Sequence, residues 1–184
     1  MPRLFVAVEL PAAAAAELAR IRPPPADGVR PVEPHQMHVT LHFIGEADIE
    51  GVAAALASVR AAVPPLTIEG VGQFPSAAGA ITLWAGVRRS PALLGLHAAV
   101  ATALAGEGFR PEARAYVPHV TLARCEPGVA RGVADEFLAR HAGFSLPNVP
   151  AEGFRLCSSG SAGGTPVYRV ERSFPPRAGA GGTA

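Results

Sequence analysis

Five consecutive apolar residues, Leu4-Phe5-Val6-Ala7-Val8, lie near the start of the chain between Arg3 and Glu9, and their β-branched and aromatic content predicts a strand over residues 3–10. Pro11 then leads an Ala-rich stretch to Arg22 that predicts a helix, because proline is preset for the first helical position. Pro23-Pro24-Pro25, with Asp27 and Gly28, break that helix, and a second extended segment is predicted over 37–44, closed by Gly45. Asp48 is placed to cap a helix over 49–62 that Pro64-Pro65 ends. Residues 66–74 and 80–87 read as paired strands about a Gly-containing turn, followed by a helix over 90–106, where a first lobe is expected to close. Residues 116–124 are predicted extended and 129–140 helical, with final strands over 144–157 and 166–172. From Pro175 onward the chain is Pro, Gly and Ala with little else and no large apolar residue to bury, so 175–184 is predicted to be a disordered tail.

Strand pairs linked by short Gly turns and interleaved with helices predict an α+β fold with antiparallel sheets, over 1–174 as one bilobal domain. No Gly-x-Gly-x-x-Gly follows a strand, which removes support for a dinucleotide fold.

Composition narrows the chemistry. At 184 residues and 49% apolar, the chain can bury one sizeable core or two small packed lobes. No apolar run approaches the roughly 20 residues of a membrane span, and no export signal is read at the start, so a cytoplasmic protein without membrane partners is expected. Cys125 and Cys157 form neither a disulfide framework nor a zinc-type pair and are expected to be buried thiols. A net charge of +1 argues against wrapping a long nucleic acid, so any contact with one should be local. All sixteen basic residues are Arg. Without lysine there is no Walker-type phosphate loop, no Schiff base and no nucleotidyl-lysine intermediate, whereas Arg remains well suited to a phosphate.

One segment recurs. His38-Val39-Thr40-Leu41 returns as His119-Val120-Thr121-Leu122, once in each half of the chain. Strand alternation puts His38, Thr40 and His42 on one face with Val39, Leu41 and Phe43 on the other; His119, Thr121 and Ala123 likewise oppose Val120 and Leu122. Each copy would back onto a core while presenting an imidazole beside a hydroxyl, and a pseudo-twofold axis would face both pairs into one cleft. Opening a cyclic phosphodiester needs one group to take a proton from water and another to give one to the departing oxygen, and imidazoles do both near neutral pH. Threonine hydroxyls two residues on can donate to the phosphate oxygens.

On these residues the sequence resembles the two-histidine (2H) phosphoesterases, and among them the RNA 2′,3′-cyclic phosphodiesterases also called 2′-5′ RNA ligases. Arg3-Leu4-Phe5-Val6-Ala7-Val8-Glu9-Leu10-Pro11 is similar to that family's first strand and turn. His38-Val39-Thr40-Leu41 with Phe43-Ile44-Gly45, and Pro118-His119-Val120-Thr121-Leu122-Ala123-Arg124, resemble its two motifs. Tyr168, after Gly163-Gly164-Thr165-Pro166, resembles its closing strand. The resemblance implies two antiparallel sheets flanking a groove with helices outside, no metal and no cofactor. It also implies hydrolysis of cyclic phosphate ends of RNA or nucleotides to 2′-phosphomonoesters, with 2′-5′ joining as the reverse reaction. By the same resemblance His38 is the general acid and His119 the general base, Thr40, Thr121 and Arg124 bind the phosphate, and His42, Phe43 and Tyr168 are candidate groove residues in a monomer. Simple alternation, however, places Arg124 on the strand face away from His119, so its participation requires a bulge.

Two other readings stay open on the sequence. One is a module that captures nucleotides or RNA ends without turnover. The other is a metal-dependent phosphatase built on His35, His38 and His42, against which stand the poor ligand Thr40 and the missing His-Glu-x-x-His. His97 and His141, in helical segments, are expected to be surface or structural residues.

Overall fold

The computed structural model describes residues 1–110, 115–151, 153–162 and 165–175. In chain order its elements are β1 (Arg3–Glu9), α1 (Ala12–Ile21), β2 (Val29–Pro31), β3 (His38–Glu46), α2 (Ile49–Ala57), β4 (Leu66–Pro75), β5 (Ile81–Val87), α3 (Pro91–Gly106), β6 (His119–Cys125), α4 (Pro127–His141), β7 (Ser145–Val149), β8 (Phe154–Ala162) and β9 (Thr165–Phe174). Apart from Pro175, the predicted tail lies outside the described residues, as do Gly163 and Gly164.

Local chemistry sets several boundaries. The Asp48 carboxylate accepts the Gly51 N–H at 2.8 Å and starts α2, and the Ser90 hydroxyl accepts the Leu93 N–H at 3.2 Å to start α3. Helix α2 ends at Ala57, short of the predicted residue 62. There the Ser58 hydroxyl donates to the Ala55 carbonyl at 2.7 Å, and Val59 and Val63 turn into the core. Packing two valines outweighs continuing the helix, even though Arg60, Ala61 and Ala62 are good helix formers.

The strands run in the order β7-β4-β5-β6-β3-β1-β8-β9, with β2 attached to β6 and every pairing antiparallel. The two expected sheets are thus two halves of one path, joined at a single bridging pair, Val39 and Val120. Because β3 and β6 touch at one point and then diverge, a groove opens between the halves on one face. The other face carries the core: Val6, Val8, Val39, Leu41, Leu83, Val120 and Leu122 are all buried there, with α3 against β3 and α4 against β4, β5 and β6. No helix of the described residues is long and apolar enough to cross a membrane.

The halves are not consecutive in sequence, which corrects the expectation that one closes near residue 106. One half takes β1, β3, β8 and β9; the other takes β2 and β4 to β7. The predicted strand over 144–157 is in fact two strands that belong to different halves. Asn148 (φ 54°), Pro150 and Gly153 (φ 134°) turn the chain between them, and a Cβ at Gly153 would lie 2.3 Å from the Phe174 carbonyl oxygen.

Candidate active site

His38 and His119 begin the two central strands, beside the one bridging pair. Each ring is fixed the same way. His38 Nδ1 lies 2.7 Å from the Gln36 carbonyl oxygen, and His119 Nδ1 lies 2.7 Å from that of Val117. A carbonyl can only accept, so Nδ1 carries the hydrogen in both rings and Nε2 is left to exchange a proton. Continuing the antiparallel register by one residue on either side of the bridge sets each histidine diagonally against the other and across from the other strand's threonine.

The strands are bulged, and the bulges decide which side chains reach the groove. Between β1 and β3, Ala7 pairs with Thr40 but Val6 with His42, so Leu41 is the extra residue; between β5 and β6, Trp84 pairs with Thr121 but Leu83 with Ala123, so Leu122 is. The two irregularities occupy the same place in the two motifs. Each inverts the alternation that follows it. Arg124 therefore joins His38, Thr40, His119 and Thr121 around a cavity of about 650 Å³, together with Phe43 and Tyr168. The same inversion overturns the placement of His42 on the groove face. His42 is 4% exposed; its Nε2–H donates to the His97 carbonyl at 2.8 Å and its ring stacks on that of His97, which in turn stacks on Tyr116. His97 is thus structural, as is His141, whose ring lies 5.4 Å from that of Phe137 near the end of α4.

Around His38 the packing is close. Phe5 and Tyr168 approach its ring at 5.1 Å each, Tyr168 edge-on, and the Arg124 guanidinium donates to the Tyr168 hydroxyl at 3.4 Å. Phe5, Ala7, Cys157 and Tyr168 form a small apolar cluster separate from the main core. His119 instead meets Phe74 edge-on at 4.9 Å, with Trp84 at 6.1 Å. Burial pushes both imidazoles below their usual 6.5, and Arg124 and His119 lower His38 further by charge repulsion. The resting groove at neutral pH therefore holds two neutral imidazoles. An anionic phosphate beside them favours the protonated form, so one ring becomes a proton donor when substrate arrives.

His35, His38 and His42 do not converge: His35 is exposed on a 3₁₀ turn, His38 faces the groove and His42 faces the helices. Among the described residues, no cluster of three His, Cys, Asp or Glu side chains is placed to hold a metal. Cys125 and Cys157 are buried free thiols. The sequence reading missed Arg3, Phe5 and Arg110 in the groove wall, and Phe74 and Trp84 beside His119. Only Phe43 and Arg124 carried a signal, since both stand five residues after their histidine.

Residues 10–153 match the family model described as the 2′-5′ RNA ligase superfamily. The chain is similar to an RNA 2′,3′-cyclic phosphodiesterase of Thermus thermophilus, 34% identical over 95% of this chain and 90% of that one. It is similar to another from Archaeoglobus fulgidus, 30% identical over 80% of this chain and 84% of that one. Among solved structures, TT0787 of Thermus thermophilus superposes with a TM-score of 0.70 at 28% identity, covering 95% of this chain and 98% of that one. The fold of E. coli LigT complexed with 3′-AMP superposes with a TM-score of 0.64 at 24% identity, covering 95% and 98%.

Proposed function

The chain belongs to the 2′-5′ RNA ligase superfamily, and on that premise we propose that it is an RNA 2′,3′-cyclic phosphodiesterase working through His38 and His119. The observation that carries this reading is the twin arrangement of two imidazoles in one groove, each held through Nδ1 by the carbonyl two residues earlier and each left with a reactive Nε2. In hydrolysis, a water oxygen attacks phosphorus and its proton passes to His119 Nε2. The bond from phosphorus to O3′ breaks and takes a proton from His38 Nε2, leaving a 2′-phosphomonoester and a free 3′-hydroxyl. Thr40 and Thr121 donate to the non-bridging oxygens, and Arg124, which the bulge turns into the groove, balances their charge. With an RNA 5′-hydroxyl in place of water, the same proton transfers form a 2′-5′ bond.

Neither direction asks for a metal or a nucleotide cofactor. Its substrates are RNA ends or nucleotides bearing the cyclic phosphate, and it acts as a cytoplasmic monomer whose two halves form one unit. The deciding experiment supplies a short RNA ending in a 2′,3′-cyclic phosphate, in EDTA and without ATP, and identifies the product. A 2′-phosphomonoester is expected. A 3′-phosphomonoester, or activity that appears only with a divalent ion, would overturn the assignment.

A further inference from the structure

The two flanks of the groove differ in a way that hydrolysis alone does not use. On the His38 flank the groove is walled by Phe5 and Tyr168, which pack against the imidazole. On the His119 flank lies a second cavity of about 390 Å³, walled by Phe43, Phe74, Tyr116 and Val117. Thr40, Phe43 and His119 line both cavities, whereas His38 and Thr121 line only the groove, so the cleft opens onto the reaction centre beside His119.

The cleft is built, and its walls are aromatic. Phe43 is 56% exposed and Phe74 37%, and both present their rings to the one cleft. Phe74 packs on Trp84 at 5.1 Å, and Trp84 is seated because residue 72 is glycine: a Cβ there would lie 2.2 Å from the indole. The Tyr116 ring stacks on that of His97 at 3.9 Å, which stacks on that of His42 at 4.0 Å, and both histidines also line the cleft. Aromatic walls suit a planar heterocycle.

Direction follows from the displacement at phosphorus. Nucleophile and leaving group lie on opposite sides of the phosphorus atom, so with His38 serving O3′ the incoming oxygen arrives on the His119 side. Water needs no cleft; a nucleoside does.

We propose that this cleft binds the nucleoside whose 5′-oxygen attacks, or leaves, the phosphorus, making it the acceptor subsite for 2′-5′ bond formation and cleavage. This rests on the function proposed above. In joining, the acceptor 5′-hydroxyl oxygen bonds to phosphorus and its proton goes to His119, while the bond to O3′ breaks and O3′ takes the proton of His38. In cleavage, the 3′-hydroxyl oxygen bonds to phosphorus and gives its proton to His38, while the bond to the 5′-oxygen breaks and that oxygen takes the proton of His119, leaving a 2′,3′-cyclic phosphate.

The test uses the full chain and two readouts. Trp84 is the chain's one tryptophan and touches Phe74, so its fluorescence reports on the cleft. Titrating in the dinucleotide ApA, which has a 5′-hydroxyl and no terminal phosphate, should quench it saturably, with an apparent Kd at least about 10-fold weaker in Phe74→Ala, as expected when a base loses a stacking partner. In parallel, a cyclic-phosphate RNA is supplied with ApA and the ratio of 2′-5′-joined to hydrolysed product is measured. That ratio should fall about 10-fold in Phe74→Ala and recover in Phe74→Tyr. An unchanged ratio would overturn the proposal, as would a raised KM for hydrolysis of the cyclic end, which would place the donor's own base in the cleft. A wild-type protein that hydrolyses but never joins sinks this proposal alone; one that does neither sinks the proposed function with it.

Discussion

The two His-x-Thr strands share a backbone and differ in almost everything that surrounds it. Both histidines are pinned through Nδ1 at 2.7 Å by the carbonyl two residues back, and both strands bulge at the leucine that follows the threonine. Yet His38 packs against Phe5 and Tyr168 beside Arg124, while His119 borders a second cleft. Five residues on, one strand places Phe43 and the other Arg124 at the groove. A duplicated backbone thus holds two imidazoles in equivalent positions. Unduplicated side chains then give them unequal surroundings.

The sharpest way to break that inequality is at the histidines. His38→Ala and His119→Ala are each expected to lower kcat by roughly 10² to 10⁴-fold, and the double variant by less than the product, because the pair acts as a unit. A substrate with a much better leaving group needs little protonation of the departing oxygen. It should rescue His38→Ala and leave His119→Ala impaired. Equal rescue would show that the symmetry of the backbone extends to the chemistry.

Next come the threonines, where the two halves should behave alike. Thr40→Ala and Thr121→Ala should each raise the barrier by about 2 to 4 kcal/mol if they donate to transition-state charge, with unchanged thermal midpoints because both lie on the groove face. Wild-type rates in either variant would remove that residue from the mechanism.

Arg124 tests the asymmetry through pH. Its charge lowers the His38 pKa, after burial the chief cause. With both histidines below 6.5, the protonated fraction of the free protein shrinks as pH rises, so kcat/KM should fall on the alkaline side of its maximum. Arg124→Gln should move that falling limb to higher pH while lowering kcat, and it should leave the His119 resonance in a nuclear magnetic resonance titration where it was. A limb that does not move, or moves down, would separate Arg124 from His38.

The smallest effect lies behind the site, in the His42–His97–Tyr116 stack. Burial pushes His97 from 6.5 down to about 4, so the folded state resists a proton that the unfolded chain accepts. Its contribution is complete above pH 6.5 and is lost as pH falls toward 4, and the thermal midpoint should decline across that window. His97→Phe keeps a ring in the stack and should flatten the decline. An equal slope in the variant would assign the loss to other groups.

The sequence by itself determined the α+β class, most elements to within a few residues, and the two histidines with their threonines. Those features are local: period-two alternation, Pro and Asp at helix starts, and a repeated four-residue string. What it could not determine came from contacts between distant segments. That residues 145–149 and 154–162 pair with different halves depends on which strand edges were free. The rotation of His42 away from the groove and of Arg124 into it depends on where β1 and β5 force a mismatch in register, and one extra residue in a strand exchanges every face beyond it. The open cleft beside His119 is assembled from β3, β4 and the segment before β6, three stretches with no common periodicity, and only their packing brings Phe43, Phe74 and Tyr116 together.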